Sequence, residues 1–524
     1  MFSAYPQSLP HLAQSHHVSQ LVVDGRPMVL LAGELGNSSA GTAWQADDIL
    51  PRLARQNLNA VLVPVAWEQV EPEEGRFDFS VLEHWIEQAR AHHLRLVLLW
   101  FGSWKNGFSG YAPAWVKQDP RRFPRVIAPS GEPMPILSPL SETTAQSDAR
   151  AFAALLRHVR EFDSKQQTVV MVQVENEVGI VGAARDYSAA GDRLFGSAIP
   201  DELSAYLRSH ETSISPELRA TWDRSGATWQ KAFGEHAPEI FMAWSYGRYI
   251  NQVAAAGKAE YPLPMYVNAQ LPAPRERAGE YPSGGPHPFY LDVWRAAAPA
   301  MDFFSPDIYW PNFEYWTERY AANGNAVFIP EARLDAAAFN ALFAFGESHA
   351  FGFSPFAVEG LPDREPNDGS GNMLPQCYAV LRQLVDLLPA AQAEDRTRAV
   401  VLHSASPRPV QTVAIGGYLF RGTLARSWPA RTLLQDDGAM IVVQTGSDEF
   451  LVAGSGITAA IESDPDTSSG LAGIISIEEG TLANGQWKTV RRLNGDQSNQ
   501  GRDVSLPAHA FTMLRVKLYK IPNR

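Results

Sequence analysis

TVVMVQVENE, residues 168–177, is a nearly unbroken run of β-branched and apolar side chains that ends on Glu-Asn-Glu. A strand covered on both faces reads this way, and such strands belong to parallel sheets with helices packed against them. Upstream, VLLAGE (29–34), NAVLVPVAW (59–67) and RLVLLWFG (95–102) have the same texture. Downstream come PMYVNAQ (264–270), MDFFSPDIYW (301–310), AVFIPEA (326–332) and FGFSPFAVEG (351–360). Helical spacing separates most of them, as in 46–58, in Leu82, Trp85, Ile86 and Ala89, and in Ile240–Ala255. Ser80-Val81-Leu82-Glu83 reads as a capping box, and Asp24-Gly25 as the turn of a hairpin. Eight strands alternating with helices predict an α/β fold, a (β/α)8 TIM barrel. An open doubly wound sheet would need a Gly-rich turn after its first strand, and no G-x-G-x-x-G stands there.

The helix Tyr378–Leu388 closes this region. Cys377 beside it, in an apolar run, reads as an inert buried thiol. Beyond about 395 the chain turns into short β-rich runs broken by Gly, Asp and Asn, the pattern of a small antiparallel β-sandwich. The expected domains are therefore a catalytic barrel at 1–392 and a sandwich at 393–524. An insertion at about 179–238, with Trp222 and Trp229, is read as a lid over the site. DREPNDGSGN (363–372) lacks calcium-loop spacing and is read as an ordinary loop.

Hydrophobic residues make up 45% of the 524 and charged residues 19%, which excludes global disorder and supplies a large core. Forty-four basic against 57 acidic residues give −13, with no basic stripe, so no nucleic-acid partner is expected. No window approaches an 18-residue apolar span, so no membrane partner is expected either. MFSAYPQSLPHLAQSHH lacks the charged and apolar regions of a signal peptide. With a single cysteine, the expected compartment is cytoplasmic; the periplasm is the alternative for a chain whose signal has been removed. A homo-oligomer is compatible with all of this.

A barrel carries its chemistry at the carboxyl ends of its strands. Those ends hold Glu34, Trp67-Glu68, Trp104-Lys105-Asn106, Asn176-Glu177, Asn268, Tyr309-Trp310, Glu331 and Glu359. Acids, amides and aromatic rings dominate, and no metal-ligand motif is present, so no metal or cofactor is expected. Two carboxylates facing one cavity suit glycoside hydrolysis, one as acid and one as nucleophile. Alternation along VQVENEVG puts Glu175 and Glu177 on one side, and spacing does not choose between them. Glu331 follows the buried run VFIP; its alternative reading is an ion pair with Arg333. Glu34 is a candidate for sugar hydroxyls, Trp104 and Asn106 for the cleft wall, and Trp310 for stacking on the leaving-group side.

The chain resembles the retaining β-galactosidases of glycoside hydrolase family 35. WEQVEPEEGRFDF (67–79), YAPAWV (111–116), VQVENEVG (172–179) and FIPEARL (328–334) carry the resemblance, in order, over roughly 29–360. It implies that Glu177 is the acid/base, Glu331 the nucleophile, Asn176 a ligand of the sugar 2-hydroxyl and Tyr309 the residue that orients Glu331. FGSWKNG (101–107) is more like the family 42 β-galactosidases. The implied activity is removal of terminal β-linked galactose from an oligosaccharide by double displacement. Transglycosylation, β-glucosidase-type activity and non-catalytic sugar binding are the alternatives.

Overall fold

Asp24 and Gly25 both take left-handed backbone angles, φ +52° and +73°, as a two-residue hairpin turn requires. The turn pairs Val18–Val23 with Arg26–Met28, and His11–Ser15 adds a third antiparallel strand. The computed structural model describes residues 8–363, 373–467 and 470–522; of the loop expected at 363–372, all but its first residue lies outside them.

Eight parallel segments follow: β1 (Leu30–Leu31), β2 (Ala60–Ala66), β3 (Arg95–Phe101), β4 (Val169–Val174), β5 (Met265–Gln270), β6 (Phe303–Ile308), β7 (Phe328–Ile329, resuming after Pro330 as Glu331–Ala332) and β8 (Gly352–Phe353). A curled six-stranded parallel sheet runs β7–β6–β5–β4–β3–β2, and a three-stranded sheet runs β7–β8–β1. Beyond β1, Glu34 makes parallel bridges to Leu62 in β2 and to Phe356 after β8. One apolar cluster draws on Leu30, Leu62, Leu99, Tyr266, Phe303 and Phe328, and Leu21 and Val23 of the hairpin join it. A larger cluster packs the other strand faces against the helices. The likeness of β2, β3 and β4 in sequence follows from this, because both of their faces are buried.

Several helix boundaries differ from those expected. The helix read at 46–58 begins at Ala43, because Thr42 and Gln45 cap each other's backbone. Pro51 lies inside it, past the first turn. The capping box read at Ser80 does not form: Asp78 takes the Ser80 N–H and hydroxyl, at 2.9 and 2.7 Å, and Phe79 is the cap. The helix read at 378–388 is two, Leu374–Leu381 and Leu388–Ala393, and Pro389 lies in the first turn of the second. Buried Cys377 donates its S–H to the Ala338 carbonyl, and burial raises the thiol pKa.

Residues 189–233 form four short helices before the long helix Ala237–Glu260. Trp222 and Trp229 are buried among them. After Thr397 the chain is β-rich. A six-stranded antiparallel sheet and a four-stranded one, Val410–Ile415, Tyr418–Leu424, Ile457–Ser463 and Asp503–Ser505, share one apolar core. The helix Ala337–Gly346 is buried on every side, and Ile441 and Leu451 of the six-stranded sheet belong to the same cluster as its side chains.

Candidate active site

The end of β4 decides which acid faces outward. Glu175 and Glu177 both adopt left-handed angles, φ +62° and +44°, so strand alternation stops there. Glu175 turns inward and is fully buried. It accepts the backbone N–H groups of Ser103 and Trp104, at 3.1 and 2.8 Å. Beside it, buried Asp148 accepts from Trp100 Nε1 (2.9 Å), the Ser103 hydroxyl (2.7 Å) and the Tyr249 hydroxyl (3.1 Å). Burial and Asp148 hold the Glu175 carboxyl well above the usual range. Glu175 therefore ties the end of β3 to β4.

Glu177 faces a cavity of about 310 Å³ together with Lys105, Asn106, Asp307, Tyr309, Trp310 and Glu331. One carboxylate oxygen each of Glu177, Asp307 and Glu331 lies within 4.8 Å of the others. Asn268, at the end of β5, organises two of them: its Oδ1 accepts the Glu177 N–H at 2.9 Å, and its Nδ2 donates to Asp307 at 2.5 Å. Asn106 Nδ2 donates to Glu177. The Tyr309 hydroxyl donates to Glu331 Oε1, and Glu331 Oε2 has no protein partner. Arg333 pairs with Asp335 at 2.5 Å, which disposes of the alternative ion pair for Glu331.

The electrostatics follow from crowding acids in a dry place. Burial, then the charge of Glu331, pushes Glu177 up to about 7. The same two causes hold Glu34 and Asp307 well above the usual carboxylate range. Lys105 works against the rise at Glu34 and Glu177. The site thus places a protonated acid near neutral pH beside a second carboxyl steered by a tyrosine.

Between residues 40 and 235 the chain is similar to β-galactosidases. The glycoside hydrolase family 42 model, described as Beta-galactosidase, matches those residues, and a domain of unknown function, DUF5597, matches 374–505. A β-galactosidase of Xanthomonas manihotis is 29% identical over 208 residues, which are 37% of this chain and 31% of that protein. The match thus spans under a third of the length of that curated relative. The structure of a β-galactosidase from Bacillus circulans sp. alkalophilus superposes with a TM-score of 0.52 at 10% identity, covering 93% of this chain and 99% of that one. The fold is therefore shared across nearly the whole chain, β-rich end included. A β-galactosidase from Marinomonas ef1 covers 69% of this chain and 61% of its own, at 12% identity and a TM-score of 0.48. The matching family model is that of family 42, the family already suggested by FGSWKNG, and not the family 35 expected from VQVENEVG.

Of the residues expected at the site, Glu177, Glu331, Asn106, Tyr309 and Trp310 line the cavity. Trp310 Nε1 donates to the Leu271 carbonyl at 3.1 Å, and its ring is half-buried. Trp104, expected on the cleft wall, does not line the cavity. It is fully buried, packed on Tyr246 and Tyr249 with ring centroids 4.9 and 4.5 Å away, and its Nε1 donates to the Leu137 carbonyl at 3.0 Å. Glu34 and Asn176 are also buried and lie outside the cavity lining. Glu34 Oε1 and both polar atoms of the Asn176 amide lack protein partners. Sequence reasoning missed Asp307 and passed over Lys105 between its two selected neighbours. An acid inside a buried strand, in FFSPDIY, was the available signal for Asp307.

Proposed function

We propose that the protein is a retaining, exo-acting β-glycosidase that removes terminal β-linked galactose from oligosaccharides. The observation that carries this reading is the pair Glu177 and Glu331 at the ends of β4 and β7, with carboxylate oxygens within 4.8 Å. Retaining glycosidases set their carboxyls about 5–5.5 Å apart, inverting ones about 6.5–9.5 Å to admit a water. The proton on Glu177 passes to the glycosidic oxygen as Glu331 Oε2 attacks the anomeric carbon. The bond to the leaving group breaks and a glycosyl ester to Glu331 forms. Water then gives a proton to Glu177 and its oxygen to the anomeric carbon, releasing Glu331. A pKa of about 7 lets Glu177 serve in both steps. Asn176, whose amide has no protein partner, is the donor for the sugar 2-hydroxyl. Glu34, buried and with its Oε1 lacking a protein partner, is assigned to an outer hydroxyl of the sugar.

Exo action is supported by a tie across one end of the site. Glu359 accepts the Gly36 N–H at 3.0 Å and the Ser39 hydroxyl at 2.5 Å, which joins the segments after β1 and β8. The two bridges of Glu34 support reading the sheets as one closed eight-stranded barrel. The 1–392 and 393–524 division is retained with it, the second part being read as a sandwich. Galactose rests on the family 42 match over 40–235.

The test is kinetic and chemical. Glu331→Gln should lose at least ~10³-fold in kcat on any β-galactoside. Glu177→Gln should lose ~10²–10⁴-fold on substrates with poor leaving groups and much less on activated aryl glycosides. A 2-fluoro galactoside should label Glu331. Label on Asp307, or near-normal turnover in either variant, would overturn the assignment.

A further inference from the structure

Next to the small cavity lies a larger one, about 1350 Å³ against 310 Å³, and Trp310 lines both. We infer that this larger cavity holds the leaving-group side of the substrate, at least two sugar residues beyond the bond that is cut. The inference rests on the glycosidase reading and adds a substrate length to it.

Position gives the side. The walls come from the lid at Glu217 and Leu218, from the segment after β5 and from the segment after β6. The acid Glu177 stands at the end of β4, next to β5, and a leaving group departs over the acid that protonates it. The opposite side of the small cavity, by Asn37 and Phe356, adjoins the Glu359 tie.

Chemistry gives the ligand. Sugars present apolar C–H faces and a rim of hydroxyls, so their sites combine exposed rings with polar groups. Tyr315 is 45% exposed and Phe289 and Trp310 are half-buried, all on the cavity wall. The lid tryptophans, Trp222 and Trp229, are buried and supply no stacking face. The rings are held in place before any ligand arrives. The Arg319 guanidinium lies 5.0 Å from the Phe289 ring centre and 5.9 Å from that of Tyr315, and pairs with Glu217 at 2.6 Å. A wall that is already ordered costs less to bind than one that must be ordered.

The test uses the full chain, p-nitrophenyl β-galactoside and β-1,4-galacto-oligosaccharides of two to five units. kcat/KM should rise at least tenfold from two units to four, because remote binding is used at the reacting bond. Tyr315→Ala should cut the four-unit to two-unit ratio at least fivefold, with Tm near the wild-type value. Tyr315→Phe should restore the ratio. Cleavage of the two-unit sugar with no gain for longer ones would overturn the subsite proposal alone. No turnover of any β-galactoside would overturn the glycosidase reading and this proposal with it.

Discussion

Lys105 is the cation that faces Glu34 and Glu177, and it lowers the pKa of both. Replacing it with methionine keeps the chain length and removes the charge. The protonated form of Glu177 is then favoured further, so its pKa moves above about 7. The general acid works while protonated, so the alkaline limb of kcat/KM in Lys105→Met should move to higher pH, by roughly 0.5–1 unit. A limb that stays in place or moves down would show that Glu177 is not the group being titrated. Legibility at this scale was uneven. Glu177 and Glu331 stood at strand ends and could be found by position. Choosing Glu177 over Glu175 from the residues alone was beyond reach, since the left-handed angles at both glutamates undo the alternation. Trp104 failed for a related reason: a strand exit locates a residue, but the direction of its ring depends on Tyr246 and Tyr249, which come from a distant helix.

At the scale of elements, the end of β3 is built on close approach. A Cβ on Gly102 would stand 2.3 Å from Trp100 Nε1, 2.6 Å from Glu175 Oε1 and 2.8 Å from Asp148 Oδ1. Gly102→Ala should therefore cost about 1–3 kcal/mol in chemical denaturation, by prising Glu175 from Ser103 and Trp104. Activity should fall as well, because Asn106, four residues on, donates to Glu177. The eight strands were legible because doubly covered strands advertise themselves in sequence. Helix starts were less so. Thr42 and Gln45 stand at capping-box spacing and the expected start was still three residues late, whereas Ser80 has the same spacing with Glu83 but bonds to Asp78 instead.

For the molecule as a whole, five buried acids among the described residues have pKa values raised by burial: Glu34, Glu175, Glu177, Glu239 and Asp307. Glu177 illustrates the sign. Below its ordinary value of 4.5 it is neutral folded and unfolded, and costs nothing. Between 4.5 and about 7 the unfolded chain ionises first, so folding loses stability as pH rises; above about 7 the loss is constant. Glu177→Gln should then melt roughly 2–5 °C above the wild type at pH 8, with little gain at pH 5, by differential scanning calorimetry. An equal gain at both values would contradict the raised pKa. The net charge of −13 carries none of this. What matters is where a few of the acids sit.

The Glu359 tie also bears on how the chain is made. Ser39 and Glu359 are 320 positions apart, and β1 meets β8 across a similar span. On a ribosome, the edge of Leu30–Glu34 that bonds to Phe351, Phe353 and Pro355 must wait until almost the whole parallel region has emerged, while the edge facing β2 can pair early. Closing so long a loop makes this the slowest contact to form. The N-terminal hairpin pairs only within residues 11–28, and its Leu21 and Val23 offer Leu30 and Leu62 an apolar partner that needs no distant segment.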